Sequence, residues 1–171
     1  MEVTFDQAEG PEETLRSLRI IHQQFPEEIL LGAGTVMTAG QVKAAAAAGA
    51  GYIISPNTDR AVIETTKELG LISIPGAFTP TEAATAYAWG ADVVKLFPAG
   101  LLGPAYIKAL TGPLPHIPFM AVGGIDAQNM NDFLRAGAVG VGVGGNLVDK
   151  KRIAAGKFQE ITDLALQYKA L

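Results

Sequence analysis

Short apolar runs alternate along the chain with longer stretches whose apolar residues recur at helical spacing. Residues 2–5, 29–34, 52–55, 72–75, 93–97, 119–122 and 139–142 read as buried strands, because each is brief, rich in Val, Ile, Phe or Ala, and bounded by polar or glycine punctuation. Helices are expected over 12–25, 39–48, 59–69, 81–89, 104–110, 127–136 and 150–169, where sets such as Val62, Ile63 and Leu69 or Ile161, Leu164 and Tyr168 fall on one face. Gly49, Gly70, Gly90 and Gly137 each stand just before a strand, where a helix closing through a left-handed residue needs glycine. Thr58-Asp59, Thr79-Pro80-Thr81-Glu82 and Asp126 supply capping oxygens at helix starts.

Repeated βα units imply an α/β fold with a parallel sheet, and their uniform shortness favours a (β/α)8 TIM-type barrel over an open sheet. Such a barrel normally needs at least about 200 residues, whereas this chain has 171 and opens with Met1 directly on a strand. The expectation is one domain over 1–171 with seven strands, lacking about its first βα unit, and therefore prone to association.

Composition narrows the class. With 49% hydrophobic and 18% charged residues the chain has material for a real core. A formal charge of −4 disfavours a nucleic acid or an anionic membrane as partner. The absence of cysteine excludes disulfides and thiolate chemistry and makes a reducing cytoplasm the simplest location. No run is long enough to span a bilayer, and no basic leader precedes an apolar segment.

One residue breaks the apolar pattern. Lys95 lies in Asp92-Val-Val-Lys-Leu-Phe-Pro98, where a buried strand should carry Val or Ile. Loss of hydration disfavours the ammonium, so a lysine held there keeps more free amine at neutral pH and is a candidate Schiff-base nucleophile. Equally open from this segment alone is a lysine that snorkels to water or pairs with a carboxylate. Glu2 is a candidate proton carrier or a solvated strand residue, and Thr35 a carboxylate ligand or a helix cap. Gly123-Gly124 and Gly144-Gly145-Asn146 follow two successive strands, where backbone amides before a helix can hold a phosphate or where glycine only eases a turn. His22 and His116 lack companions at metal-ligand spacing, so no metal or cofactor is expected, and Trp89, Phe97 and Phe119 read as core or pocket wall.

Glu2-Val-Thr-Phe, Gly32-Ala-Gly-Thr-Val36, Ile54-Ser-Pro-Asn57, Ile74-Pro-Gly76, Val94-Lys-Leu-Phe-Pro-Ala99, Val122-Gly-Gly and Gly144-Gly-Asn146 occur in the order found in the 2-keto-3-deoxy-6-phosphogluconate (KDPG) and 4-hydroxy-2-oxoglutarate (KHG) aldolases, and the chain resembles that family over nearly its whole length. The resemblance implies a metal-independent class I aldolase that takes a phosphorylated keto acid and pyruvate and assembles as a homotrimer. Lys95 would form the Schiff base and Glu2 would move protons. Thr35 would hold the pyruvate carboxylate, Phe97 would shape the pocket, and Gly123, Gly124, Gly144, Gly145 and Asn146 would hold the phosphate. Where many members carry an arginine four residues after the glutamate, this chain has Asp6, which would repel a substrate carboxylate if it pointed inward. Val122 stands where KDPG-selective members often have Thr and resembles phosphogalactonate-type enzymes, while Asn146 replaces a frequent Ser. Two other readings are a sugar-phosphate epimerase or isomerase with Glu2 as base, and a catalytically impaired fragment or phosphate-ligand-binding module.

Overall fold

The computed structural model describes residues 1–26 and 28–170, which form two compact units that divide after Lys95. In the first unit β1 (Glu2–Thr4), α1 (Glu12–Gln24), β2 (Gly32–Gly34), α2 (Ala39–Ala47), β3 (Tyr52–Ile54), α3 (Arg60–Glu68), β4 (Ile72–Ile74), β5 (Gly76–Ala77), α4 (Pro80–Ala88) and β6 (Val94–Leu96) follow one another. From β6 onward come α5 (Ala99–Leu102), α6 (Pro104–Thr111), β7 (Phe119–Val122), α7 (Met130–Arg135), β8 (Gly140–Gly142), α8 (Lys150–Ala154) and α9 (Phe158–Ala170).

The strands pair in parallel. β1, β2, β3 and β4 lie in sequence order with Glu2 beside Gly32, Gly32 beside Tyr52 and Tyr52 beside Ile72. β7 and β8 pair with Met120 beside Gly140. An α/β architecture of parallel strands joined by helices is therefore observed.

Local chemistry explains the helix ends. Thr38, Asp59 and Thr79 each accept an N–H from the third residue of the following helix, and Glu82 returns the bond to Thr79 in a capping box. At the other ends Gly49, Gly70, Gly90 and Gly137 share one motif: the next residue's N–H reaches back to a carbonyl of the last turn, as in Ala50 N to Ala45 O at 3.0 Å.

Three departures from the sequence reading have a local cause. The expected strand 72–75 stops at Ile74, before Pro75, and β5 is a further two-residue strand beyond it among the described residues. Gly156, with φ 68°, ends α8 and splits the expected 150–169 helix. Asp126 does not cap α7; its Oδ1 accepts from Gln128 and Asn129 N–H, tightening a turn that delays the helix to Met130.

In the first unit the core gathers Phe5, Leu15, Leu18, Leu31, Val36, Val42, Ile53 and Val62 between sheet and helices. A fully buried Phe or Leu of this kind contributes roughly 1.5–3 kcal/mol. The second unit buries Ile107, Phe119, Ile125 and Phe133. Trp89 is not core: it sits half-buried at the end of α4 with the Arg60 guanidinium 5.9 Å from its ring centre. Among the described residues no helix is long and apolar enough to cross a membrane.

Candidate active site

Parallel register places Glu2, Gly32 and Tyr52 side by side on three adjacent strands, so the side chains of Glu2 and Tyr52 share one face of the sheet. Between them β2 contributes almost no bulk. A Cβ on Gly32 would collide with the Tyr52 ring, and a Cβ on Gly34 would collide with the Glu2 carboxylate. The two glycines of Gly32-Ala-Gly34 are thus small because neighbouring side chains lie over them. Glu2 keeps exposed surface as a residue, yet enough protein surrounds its carboxyl that loss of hydration raises it above the ordinary carboxylate value, with the Lys95 and amino-terminal charges pulling it partly back. Burial, then the Glu2 charge, pushes the Tyr52 phenol up to about 12.

Lys95 is central in β6, fixed by its own N–H to Pro75 O at 2.8 Å, and the residue is only 6% exposed. A snorkelling lysine would present its amine to water; this one is buried between the fully buried Val94 and Leu96. Loss of hydration lowers its pKa and the negative charge of Glu2 opposes that shift. Each group therefore registers the other's charge, which brings a basic amine and a protonatable carboxyl into one electrostatic site.

Thr35 follows Gly34, half-buried and with φ 53°, a left-handed conformation rare for a β-branched residue. Its neighbours are tied to both adjoining strands: Phe5 N donates to Gly34 O at 2.9 Å and Val36 N to Ile54 O at 3.1 Å. Gln7 Nε2 donates to the Thr35 carbonyl at 2.8 Å. Asp6 turns its Oδ1 to the N–H groups of Ala8 and Glu9, at 2.8 and 3.2 Å, so that oxygen closes a tight turn. The sequence reading passed over Gln7, Gln41 and Tyr52. Nothing local marks them; only the register that sets Tyr52 beside Gly32, and a fold that returns residue 7 to residue 35, does so.

The remaining candidates lie in the second unit. Gly123 and Gly124 both have left-handed φ, 88° and 76°; a Cβ on Gly123 would press on the Phe97 ring at 2.9 Å, and one on Gly124 would lie 3.2 Å from Gly100 Cα. Gly100 N donates to Gly123 O at 2.8 Å, so three glycines let two backbones cross closely. Phe97 is partly exposed and Phe119 fully buried. Asn146 Nδ2 donates to Ile125 O at 2.8 Å, tying the turn after β8 to the one after β7. A Cβ on Gly144 or Gly145 would meet no protein atom within 4 Å. After this turn Asp149 caps the short α8, its side chain accepting the N–H groups of Lys151 and Arg152. Among the described residues no group of three or more His, Asp or Glu could hold a metal ion.

A family model described as KDPG and KHG aldolase matches residues 1–164. A probable 2-dehydro-3-deoxy-6-phosphogalactonate aldolase of Rhizobium meliloti is 39% identical over 146 residues, 85% of this chain and 68% of the relative. A 2-dehydro-3-deoxy-phosphogluconate aldolase of Treponema pallidum is 37% identical over 168 residues, 98% of this chain and 78% of the relative. The crystal structure of the Legionella pneumophila KDPG aldolase, with pyruvate captured as a covalent carbinolamine, superposes with TM-score 0.85 at 32% identity, over 95% of this chain and 77% of that one.

Proposed function

Because the chain belongs to the KDPG and KHG aldolase family, we propose that it is a class I aldolase, a carbon–carbon lyase that splits a 2-keto-3-deoxy-6-phospho sugar acid, or 4-hydroxy-2-oxoglutarate, into pyruvate and an aldehyde such as glyceraldehyde 3-phosphate. The observation that carries the reading is a buried lysine with lowered pKa in electrostatic contact with a carboxyl whose pKa is raised. Two groups moved toward neutrality from opposite directions suit a nucleophile and its proton carrier.

In this scheme the Lys95 amine adds to the C2 carbonyl, and the carbinolamine loses water to give an iminium. Glu2 accepts the C4 hydroxyl proton as the C3–C4 bond breaks; the bonding pair moves into the iminium, leaving an enamine on Lys95 and releasing the aldehyde. A proton returned to C3 restores the iminium, which water hydrolyses to pyruvate and free amine. Thr35 holds the substrate carboxylate. Gly123, Gly124, Gly144, Gly145 and Asn146 hold the phosphate, with Phe97 as pocket wall. Gly144 and Gly145 support this assignment: the protein's own packing does not require their smallness, whereas an anion approaching backbone N–H groups would.

The (β/α)8-type barrel belongs to the same proposal, supported by parallel β1–β4 and by the likeness to a solved aldolase. So does a homotrimer, supported by apolar side chains such as Leu101 and Phe158 that a single chain leaves exposed. The test is a coupled assay for released pyruvate with the phosphogluconate-derived, phosphogalactonate-derived and unphosphorylated keto acids. Release from a phosphorylated acid is expected. Thermal stabilisation by these acids without pyruvate would favour a binding module, and conversion of a sugar phosphate to its epimer would favour an epimerase.

A further inference from the structure

Thr35 occupies a backbone conformation that a threonine adopts only where its surroundings enforce it, and hydrogen bonds around that turn run through two glutamines. Met37 N donates to Gln41 Oε1 at 2.7 Å, Gln41 Nε2 donates to Gln7 Oε1 at 3.3 Å, and Gln7 Nε2 donates to Thr35 O at 2.8 Å. The relay leaves from the amide two residues after Thr35 and returns to its carbonyl, so it brackets the turn. Its direction is self-consistent: reversing either side-chain amide would set like groups against each other.

Both glutamines stand on anchored segments. Gln41 is the third residue of α2, where Thr38 Oγ1 accepts its backbone N–H at 3.2 Å while its side chain reaches back past the cap to Met37. Gln7 follows Asp6 in the tight turn closed by Ala8 and Glu9 N–H, which aims its side chain at residue 35.

We infer that Gln7 and Gln41 are positioning residues for the reaction: they hold Thr35 in the left-handed turn from which it meets the substrate carboxylate. This inference rests on the Thr35 role proposed above and adds two residues that act only through it. A glutamine pair here substitutes for direct contact, since neither needs to touch substrate for the Thr35 hydroxyl to be aimed.

The test reads the pyruvate concentration giving half-maximal borohydride trapping in the full chain, for wild type, Thr35→Ala, Gln7→Ala, Gln41→Ala and the double variant Gln7→Ala/Thr35→Ala. Gln7→Ala is expected to raise that concentration about five-fold, the worth of one net hydrogen bond, with trapping at saturating pyruvate unchanged. Gln41→Ala should do the same to a smaller extent. The double variant should match Thr35→Ala alone, because a residue acting through Thr35 has nothing left to position. If Thr35→Ala raises the half-saturating concentration and Gln7→Ala does not, the relay is overturned while the Thr35 role stands. Shifts that multiply in the double variant overturn it as well, since Gln7 would then act independently. An unchanged value in Thr35→Ala removes the Thr35 role itself and the inference with it. Gln7→Met, which keeps the length of the side chain without its amide, repeats the reading should Gln7→Ala prove unstable.

Discussion

The Glu2 carboxylate lies in the space that a Cβ on Gly34 would fill. Glycine at 34 is therefore a condition for where the proposed proton carrier sits. Gly34 has no left-handed φ, so alanine there meets no backbone penalty and the far end of Glu2 is free to move aside. Gly34→Ala should keep its circular dichroism spectrum and lose turnover toward the level of Glu2→Gln. Full activity in a folded Gly34→Ala protein would show that the position of this carboxylate does not matter.

Glu2→Gln should slow pyruvate release about a hundred- to ten-thousand-fold, the range for losing a positioned acid or base. It should also move Lys95. The Glu2 charge raises the lysine pKa against the larger effect of burial, so its removal lowers that pKa further. The pH dependence of Schiff-base formation should accordingly shift to lower pH while turnover falls, as measured by borohydride trapping rate against pH.

Burying the Lys95 residue has a thermodynamic sign. Because the folded-state pKa of Lys95 lies below 10.5, the folded protein binds fewer protons than the unfolded chain between those two values. Stability contributed through this group then rises with pH across that window, and the penalty is complete below it. Lys95→Met should be more stable than wild type at neutral pH, because it removes the cost of burying the ammonium. That difference should shrink as pH climbs toward 10.5. Thermal melts across pH check this; a difference that grows with pH would contradict it.

Substitution in the turn after β8 should separate binding of phosphate from binding of pyruvate. Gly144→Ala introduces a methyl group that touches no protein atom within 4 Å, so stability and pyruvate trapping should be unchanged. The KM for a phosphorylated keto acid should rise roughly ten-fold, as for a lost hydrogen bond to a charged group. Equal effects on pyruvate and on the phosphorylated acid would remove the phosphate role from this turn.

These predictions draw unequally on what the chain displays in linear form. The strands, and helix ends such as Thr79 with Glu82 or the glycine at 49, were legible because period, capping oxygens and left-handed glycines act within a few residues. Lys95 stood out as a polar residue in an apolar run, whereas Glu2 alone also read as a solvated strand residue and took its role from the resemblance. Boundaries failed where a single residue cut a longer pattern: Pro75 ending a strand, Gly156 dividing a helix, Asp126 spending its oxygen on a turn. The supports of the site were not legible. Tyr52 meets Glu2 through the register of three strands, and Gln7 meets Thr35 across 28 positions of sequence. Contacts set by pairing and closure leave no mark on local composition.

The central claim is that the amine of Lys95 attacks the carbonyl of a keto acid. Borohydride reduction in the presence of pyruvate, followed by peptide mass mapping, measures it directly. One 1-carboxyethyl adduct per chain, located on the peptide bearing Lys95 and absent from Lys95→Ala, is the predicted result. An unlabelled wild-type protein, or an adduct that persists in Lys95→Ala, would contradict it.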